Sequence, residues 1–176
     1  MKTRDLVLIA LFAALIALCA WITIPSFVPF TMQTFAVFMA ASLLGGKRGT
    51  LAVLVYILLG AVGLPVFSGF NSGLGYLAGK TGGYIIGFIA LALTMWGVTR
   101  IGGRGWVARG IGMVAGLLVC YAFGTAWFMS VYIRTSGPVT LMTVLSWCVI
   151  PYIIPDLVKI ALALYLSNRI ERRITV

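Results

Sequence analysis

Apolar runs of about twenty residues, free of any charged side chain, recur along this chain, and no other feature narrows its fold so far. Leu6 to Ile24 and Ile111 to Ile133 are the clearest. As a helix rising about 1.5 Å per residue, each is long enough to cross a hydrocarbon core of about 30 Å. Lipid offers no partner for backbone N–H and C=O groups, so such segments cross as helices. The chain is 62% apolar and 9% charged, against about 25% charged in soluble domains. It is therefore expected to be an all-α polytopic membrane protein, with its 176 residues forming one integral membrane domain.

Three function classes lose support on the same residues. The net charge of +10 sits in short clusters between apolar runs, the ordinary pattern of membrane topology, so no nucleic-acid partner is expected. Cys19, Cys120 and Cys148 lack CxxC spacing and the chain has no histidine, so no metal site, cofactor or histidine triad is expected. Of the acids Asp5, Asp156 and Glu171, only Asp156 falls well inside a span. A catalytic carboxylate pair cannot be built, and no enzyme activity is expected. Met1 to Ala20 begins like a signal peptide, but its apolar run exceeds the usual 7–15 residues and is read as a retained span.

Six spans are expected, at about 6–24, 33–45, 50–63, 84–99, 111–133 and 155–168. Pro25 closes the first, and Pro29 makes the next segment extended. The second and third are short for a crossing and need help from their flanks. Between spans three and four, Gly69, Gly73, Gly75, Gly79, Gly82 and Gly83 fall within sixteen residues, which disfavours a continuous helix. That stretch is too apolar for a solvated loop and is expected to fold back over a site. Lid-like segments are thus expected at 25–31, 64–83 and 139–150, the last set off from span six by a break at Pro151 to Pro155.

This arrangement predicts cytoplasmic amino and carboxyl termini. The inner face then carries Lys2, Arg4, Lys47, Arg48, Arg100, Arg104, Arg109, Arg169, Arg172 and Arg173, ten of thirteen basic residues. Lys80 and Arg134 remain outside, and Lys159 lies in the membrane. Such asymmetry follows the positive-inside tendency.

Asp156 and Lys159, three apart on the last span, share a helix face. If the helix leaves the membrane near Arg169, they lie about 20 and 15 Å above the inner boundary. Facing lipid would cost about 2.5–3.5 kcal/mol or more for each. They therefore either neutralise each other between helices or look into a cavity and hold a ligand. Pro155 is expected to start the helix and set Asp156 near its positive end. Asn71, beside Gly73 in the glycine-rich wall, is either a turn former or an amide that meets the ligand. Lys80 either snorkels to outer headgroups or reaches an anionic group. Tyr84, with Phe30, Phe67, Phe70 and Trp147, offers flat rings to an apolar ligand or simply packs. Gln33 either lines the site or caps its helix. In the first span, Ala10/Ala14 and Ala13/Ala17 are small-xxx-small pairs that admit close approach of a bundle helix or of a partner subunit.

Taken together, Pro29-Phe30-Thr31-Met32-Gln33-Thr34, Leu59-Gly60-Ala61-Val62-Gly63-Leu64-Pro65-Val66-Phe67, Gly79-Lys80-Thr81-Gly82-Gly83-Tyr84-Ile85-Ile86-Gly87-Phe88 and Ile154-Pro155-Asp156-Leu157-Val158-Lys159 resemble the BioY family. These are the biotin-binding S components of energy-coupling factor (ECF) transporters. Lys80 departs from the proline the family often has before Thr-Gly-Gly-Tyr. The resemblance implies an S-component bundle in a bacterial or archaeal cytoplasmic membrane and high-affinity biotin capture toward the outer face. It also implies partners: a transmembrane coupling T subunit, docked on the alanine face of the first helix, and two cytoplasmic ATP-binding subunits that hydrolyse ATP. An S component for another vitamin, such as thiamin or riboflavin, would share this architecture. A self-sufficient secondary transporter using Asp156 as proton carrier is the remaining alternative.

Overall fold

The computed structural model describes residues 2–25 and 28–174. Ser26 and Phe27, within the first expected lid, lie outside the described residues, as do Met1, Thr175 and Val176. Helix α1 (Thr3–Trp21) carries Asp5 in its first turn, where its carboxylate accepts the Lys2 N–H at 3.3 Å and faces the positive helix end. The helix stops three residues short of the expected span. Thr23–Ile24 (β1) instead pairs antiparallel with Phe30–Thr31 (β2), Thr23 opposite Thr31 and Ile24 opposite Phe30. Apart from this two-residue ribbon, the described elements are helical.

Helix α2 (Gln33–Leu44) is apolar nearly all round, so it can be enclosed on several sides at once. Ala36, Val37, Phe38 and Ala40 are fully buried among its neighbours. Gly45, at φ +78°, turns the chain directly into α3 (Gly46–Ala61). The two pack closely because Gly49 has no side chain: a Cβ there would lie 2.6 Å from the Ala41 Cα. Residues 62–81 form the folded-back segment, with a 3-10 turn at Ser68–Phe70 and the short helix α4 (Leu74–Ala78).

Helices α5 (Gly82–Gly102) and α6 (Trp106–Ser136) run against each other along their length. Gly112, Gly116, Cys120 and Gly124 recur every four residues and lay one slim face of α6 on α5. A Cβ at Gly116 would meet the Leu91 carbonyl at 2.8 Å. This is the small-residue packing by which membrane helices approach closely. Helix α7 (Leu141–Cys148) lies within the third expected lid, with Thr140 Oγ1 accepting the Thr143 N–H as its cap.

The expected break at Pro151 to Pro155 is corrected: α8 runs unbroken over Ile150–Ile174 with Pro155 inside it. Pro155 therefore does not start the helix, and Asp156 lies beyond its first turn rather than at its positive end. Pro155 falls at the sixth residue, so the bond it forfeits is to a carbonyl of the first turn, and the helix is already nucleated.

Four of these helices, α1, α5, α6 and α8, are long and apolar enough to cross a membrane. At about 1.5 Å per residue, α2 and α3 span only about 18 and 24 Å. The exposed surface has a membrane protein's polarity: Ile154 on α8 is 75% exposed while Asp156 and Lys159 are 3% and 4% exposed. Ion pairs Arg48–Asp5 (3.3 Å) and Arg109–Glu171 join the starts of α1 and α3 and the start of α6 to the end of α8. The basic helix ends thus share one end of the bundle.

Candidate functional site

Helix α8 sets Asp156 and Lys159 on its inner face, one turn apart, with Ile153, Ile154, Leu157 and Val158 turned outward. The pair closes on itself: Lys159 Nζ donates to Asp156 Oδ1 at 2.7 Å. Nζ also donates to the Thr31 carbonyl at 2.7 Å and to Thr34 Oγ1 at 3.1 Å. All three ammonium protons are engaged. Thr34, having accepted from Lys159, donates its own proton to Asp156 Oδ1 at 3.1 Å, and the Tyr121 hydroxyl donates to Oδ2. Below the ammonium lies the Phe30 ring, 4.1 Å from Nζ to centroid. An acid and a base buried this deeply each need a partner, and here each is the other's, with hydroxyl and carbonyl groups completing the shell.

The pair also lines a half-enclosed cavity of about 70 Å³, as traced by the centre of a water-sized sphere. The β1–β2 hairpin, α2, the folded-back segment, α5, α6, α7 and α8 all contribute to its wall. The wall is mainly apolar and aromatic: Phe30, Tyr76, Tyr84, Phe88, Tyr121 and Tyr152 ring a floor made by Asp156 and Lys159. Phe30 and Tyr152 stack with centroids 6.1 Å apart, and the Tyr152 hydroxyl donates to the Val28 carbonyl, so hairpin and α8 close the same wall. A cavity of this kind suits a compact ligand with an apolar body and one polar end that both donates and accepts.

Of the residues expected at the site, Asp156, Lys159, Gln33 and Tyr84 are brought together around it. Gln33 lines the wall while its amide accepts from Thr31 Oγ1 at 3.0 Å and donates to the Tyr56 hydroxyl. Tyr84 shares a 3.1 Å hydrogen bond with Thr125. Asn71, Gly73 and Lys80 stand in the covering segment rather than in the cavity wall. Asn71 Nδ2 donates to the carbonyl of Ser68, itself a lining residue, at 2.8 Å. Gly73, at φ +89°, gives its N–H to the Gly60 carbonyl at 2.7 Å and fastens the segment to α3. Lys80 donates to Ser136 Oγ at 2.9 Å and lies 4.4 Å above the Tyr132 ring. Of the other rings, Phe67 is buried in the core and Phe70 is 63% exposed beside Trp21. The four alanines of α1 divide: Ala13 and Ala17 are buried in the bundle, and Ala10 and Ala14 face outward.

The whole chain, residues 1–176, matches the model of the BioY family. The chain belongs to the BioY family. Among its relatives, the biotin transporter BioY of Thermotoga maritima is 39% identical over 172 residues, covering 96% of each chain. The probable biotin transporter BioY of Pyrococcus horikoshii is likewise 39% identical, covering 97% of this chain and 98% of that one. The fold matches a crystal structure of the S-component for biotin from an ECF-type ABC transporter with a TM-score of 0.84 and 25% identity, over 98% of this chain and 95% of that chain.

For a BioY-family chain, sequence reasoning missed the two hydroxyls that complete the carboxylate's shell. Tyr121 sits at the centre of an expected span, at the depth of Asp156, so a search for hydroxyls at matched depth would have raised it. Thr34 lies inside the quoted Pro29 to Thr34 motif, but only the turn between hairpin and α2 shows that its hydroxyl reaches α8.

Proposed function

We propose that this chain captures biotin in the cavity above Asp156 and Lys159 and serves its uptake as the S component of an ECF-type transporter. The observation that carries the reading is the buried pair at the floor of an aromatic cavity in a chain of the BioY family. The ureido ring of biotin offers two N–H donors and one carbonyl. Asp156 Oδ2, holding one hydroxyl proton, has room to accept a ureido N–H. Lys159 can turn one N–H from the Thr31 carbonyl to the ureido oxygen. Bonds to ionised partners are the stronger kind. Phe30, Tyr84 and Tyr152 supply the slot for the thioether ring and valeryl chain. Asn71 keeps its second amide proton and its carbonyl oxygen for a ligand entering beneath the cover. Gly73 and Lys80 hold that cover shut against α3 and α6.

In this reading α2 and α3 complete six membrane crossings with α1, α5, α6 and α8, both termini are cytoplasmic, and the cavity opens outward in the plasma membrane. The outward face of α1, with Ala10 and Ala14, docks the coupling T subunit, and two ATP-binding subunits supply energy. The test is to identify by mass spectrometry the small molecule released from the protein purified in mild detergent from biotin-supplied cells. Biotin in near-equimolar amount supports the reading; thiamin, riboflavin or another vitamin in its place defeats it.

A further inference from the structure

At the end of the bundle away from the cavity, two clefts meet at one arginine. The first is lined by Lys47, Arg48, Arg100 and Arg104, with Gly45 and Trp96 between them. The second is lined by Arg104, Arg109 and Arg172, with Trp106 and Asn168. Helices α3, α5, α6 and α8, with the α5–α6 turn that carries Arg104, thus bring six cations to adjoining hollows. No acid lines the first; Asp5 reaches Arg48 from outside it and offsets one charge. Glu171 in the second is held by Arg109.

Two further observations give this cluster a ligand. Arg109 is 6% exposed, donates Nε to the Arg104 carbonyl at 2.9 Å, and yet leaves its buried Nη1 with no hydrogen-bond partner. An orphaned guanidinium nitrogen of this kind is costly unless an acceptor meets it. Beside the clefts stand apolar side chains no soluble ligand needs: Ile101 is 91%, Trp106 66% and Val107 53% exposed. Cations beside an exposed tryptophan at a membrane helix end match the boundary where phosphate headgroups meet acyl chains.

We propose that these joined clefts bind the phosphate headgroup of an anionic phospholipid, with Arg104 shared between them and the acyl chains lying against Ile101, Trp106 and Val107. The commonplace alternative, that these residues only set orientation by the positive-inside tendency, requires neither convergence on a hollow nor a buried unpaired guanidinium nitrogen. The site is separate from the cavity and stands whether or not biotin is the ligand there.

The test is native mass spectrometry of the full chain in mild detergent, titrated with phosphatidylglycerol or phosphatidylcholine. Phosphatidylglycerol is expected to bind preferentially. Each cation contributes about fivefold to affinity. Arg100→Gln/Arg104→Gln should therefore weaken phosphatidylglycerol on the order of twentyfold, leaving phosphatidylcholine unchanged. Lys47→Gln/Arg100→Gln, altering two exposed side chains, should act similarly and serves if the first variant does not fold. Arg134→Gln, which removes a charge from the far end of α6, should change nothing.

Equal binding of the two lipids, or equal loss in Arg134→Gln, overturns the proposal. So does displacement of phosphatidylglycerol by equimolar inorganic phosphate, which would assign the clefts to the free ion. Undiminished lipid binding in both double variants would leave the clefts to a protein partner and likewise overturn it.

Discussion

Lys159→Met removes an ammonium that donates to Asp156, Thr31 and Thr34 and covers the Phe30 ring, while leaving side-chain volume nearly unchanged. The Asp156 carboxylate is then buried with only two hydroxyl donors, Thr34 and Tyr121, and no counter-charge. Breaking a buried pair by deleting one member costs about 3–5 kcal/mol. At about 2–4 °C per kcal/mol for a chain of this size, Tm should fall by about 6–20 °C. Asp156→Leu/Lys159→Leu removes both charges together, and such replacements are often neutral or stabilising by about 1–4 kcal/mol. Its Tm should return to the parent value or pass it. Intrinsic fluorescence of the five tryptophans reports the melts, and biotin capture should be lost in both variants. Equal destabilisation of single and double variants would refute the ion-pair reasoning. Retained capture in the double leucine variant would refute the claim that the pair holds the ligand.

Tyr121→Phe removes the hydroxyl that donates to Asp156 Oδ2, a bond already made without ligand, so its value of about 1.5–3 kcal/mol should appear as a Tm lower by about 3–12 °C; an unchanged Tm would remove Tyr121 from the carboxylate's shell. Ala14→Trp, on the outward face of α1, should spare biotin binding and abolish uptake when the ATPase partners are coexpressed, and normal uptake would end the docking assignment. Cysteine placed at Arg134 should react with an impermeant maleimide in intact cells and cysteine at Arg104 should not, the reverse pattern overturning the orientation.

Most of the helical architecture was legible because lipid leaves a chain few choices: a charge-free run such as Ile111 to Ile133 becomes the core of α6. That Asp156 and Lys159 share a face was legible as well, since a spacing of three fixes it on any helix, whereas their contact with each other was one of two readings left open. Pro155 misled because its effect depends on its distance from the helix start, and that start, at Ile150, is set by packing around α7 and the hairpin. Ala13 and Ala17 could not be told from Ala10 and Ala14, since which side of a wholly apolar helix faces its neighbours is a tertiary fact. The rest of the carboxylate's shell was hidden for the same reason: Thr34 and Tyr121 are 122 and 35 residues from Asp156 in sequence. The glycine row on α6 carried a readable four-residue spacing, and it fixes how closely α5 supports Tyr84 at the cavity.

The central claim, that the Asp156 carboxylate grips biotin, is tested most directly by calorimetry on purified Asp156→Asn beside the parent protein. A loss of about 2–5 kcal/mol in biotin binding, roughly 30- to several-thousand-fold in Kd, is the expected result. An Asp156→Asn protein that elutes as the parent does and binds biotin with the parent's Kd would contradict it.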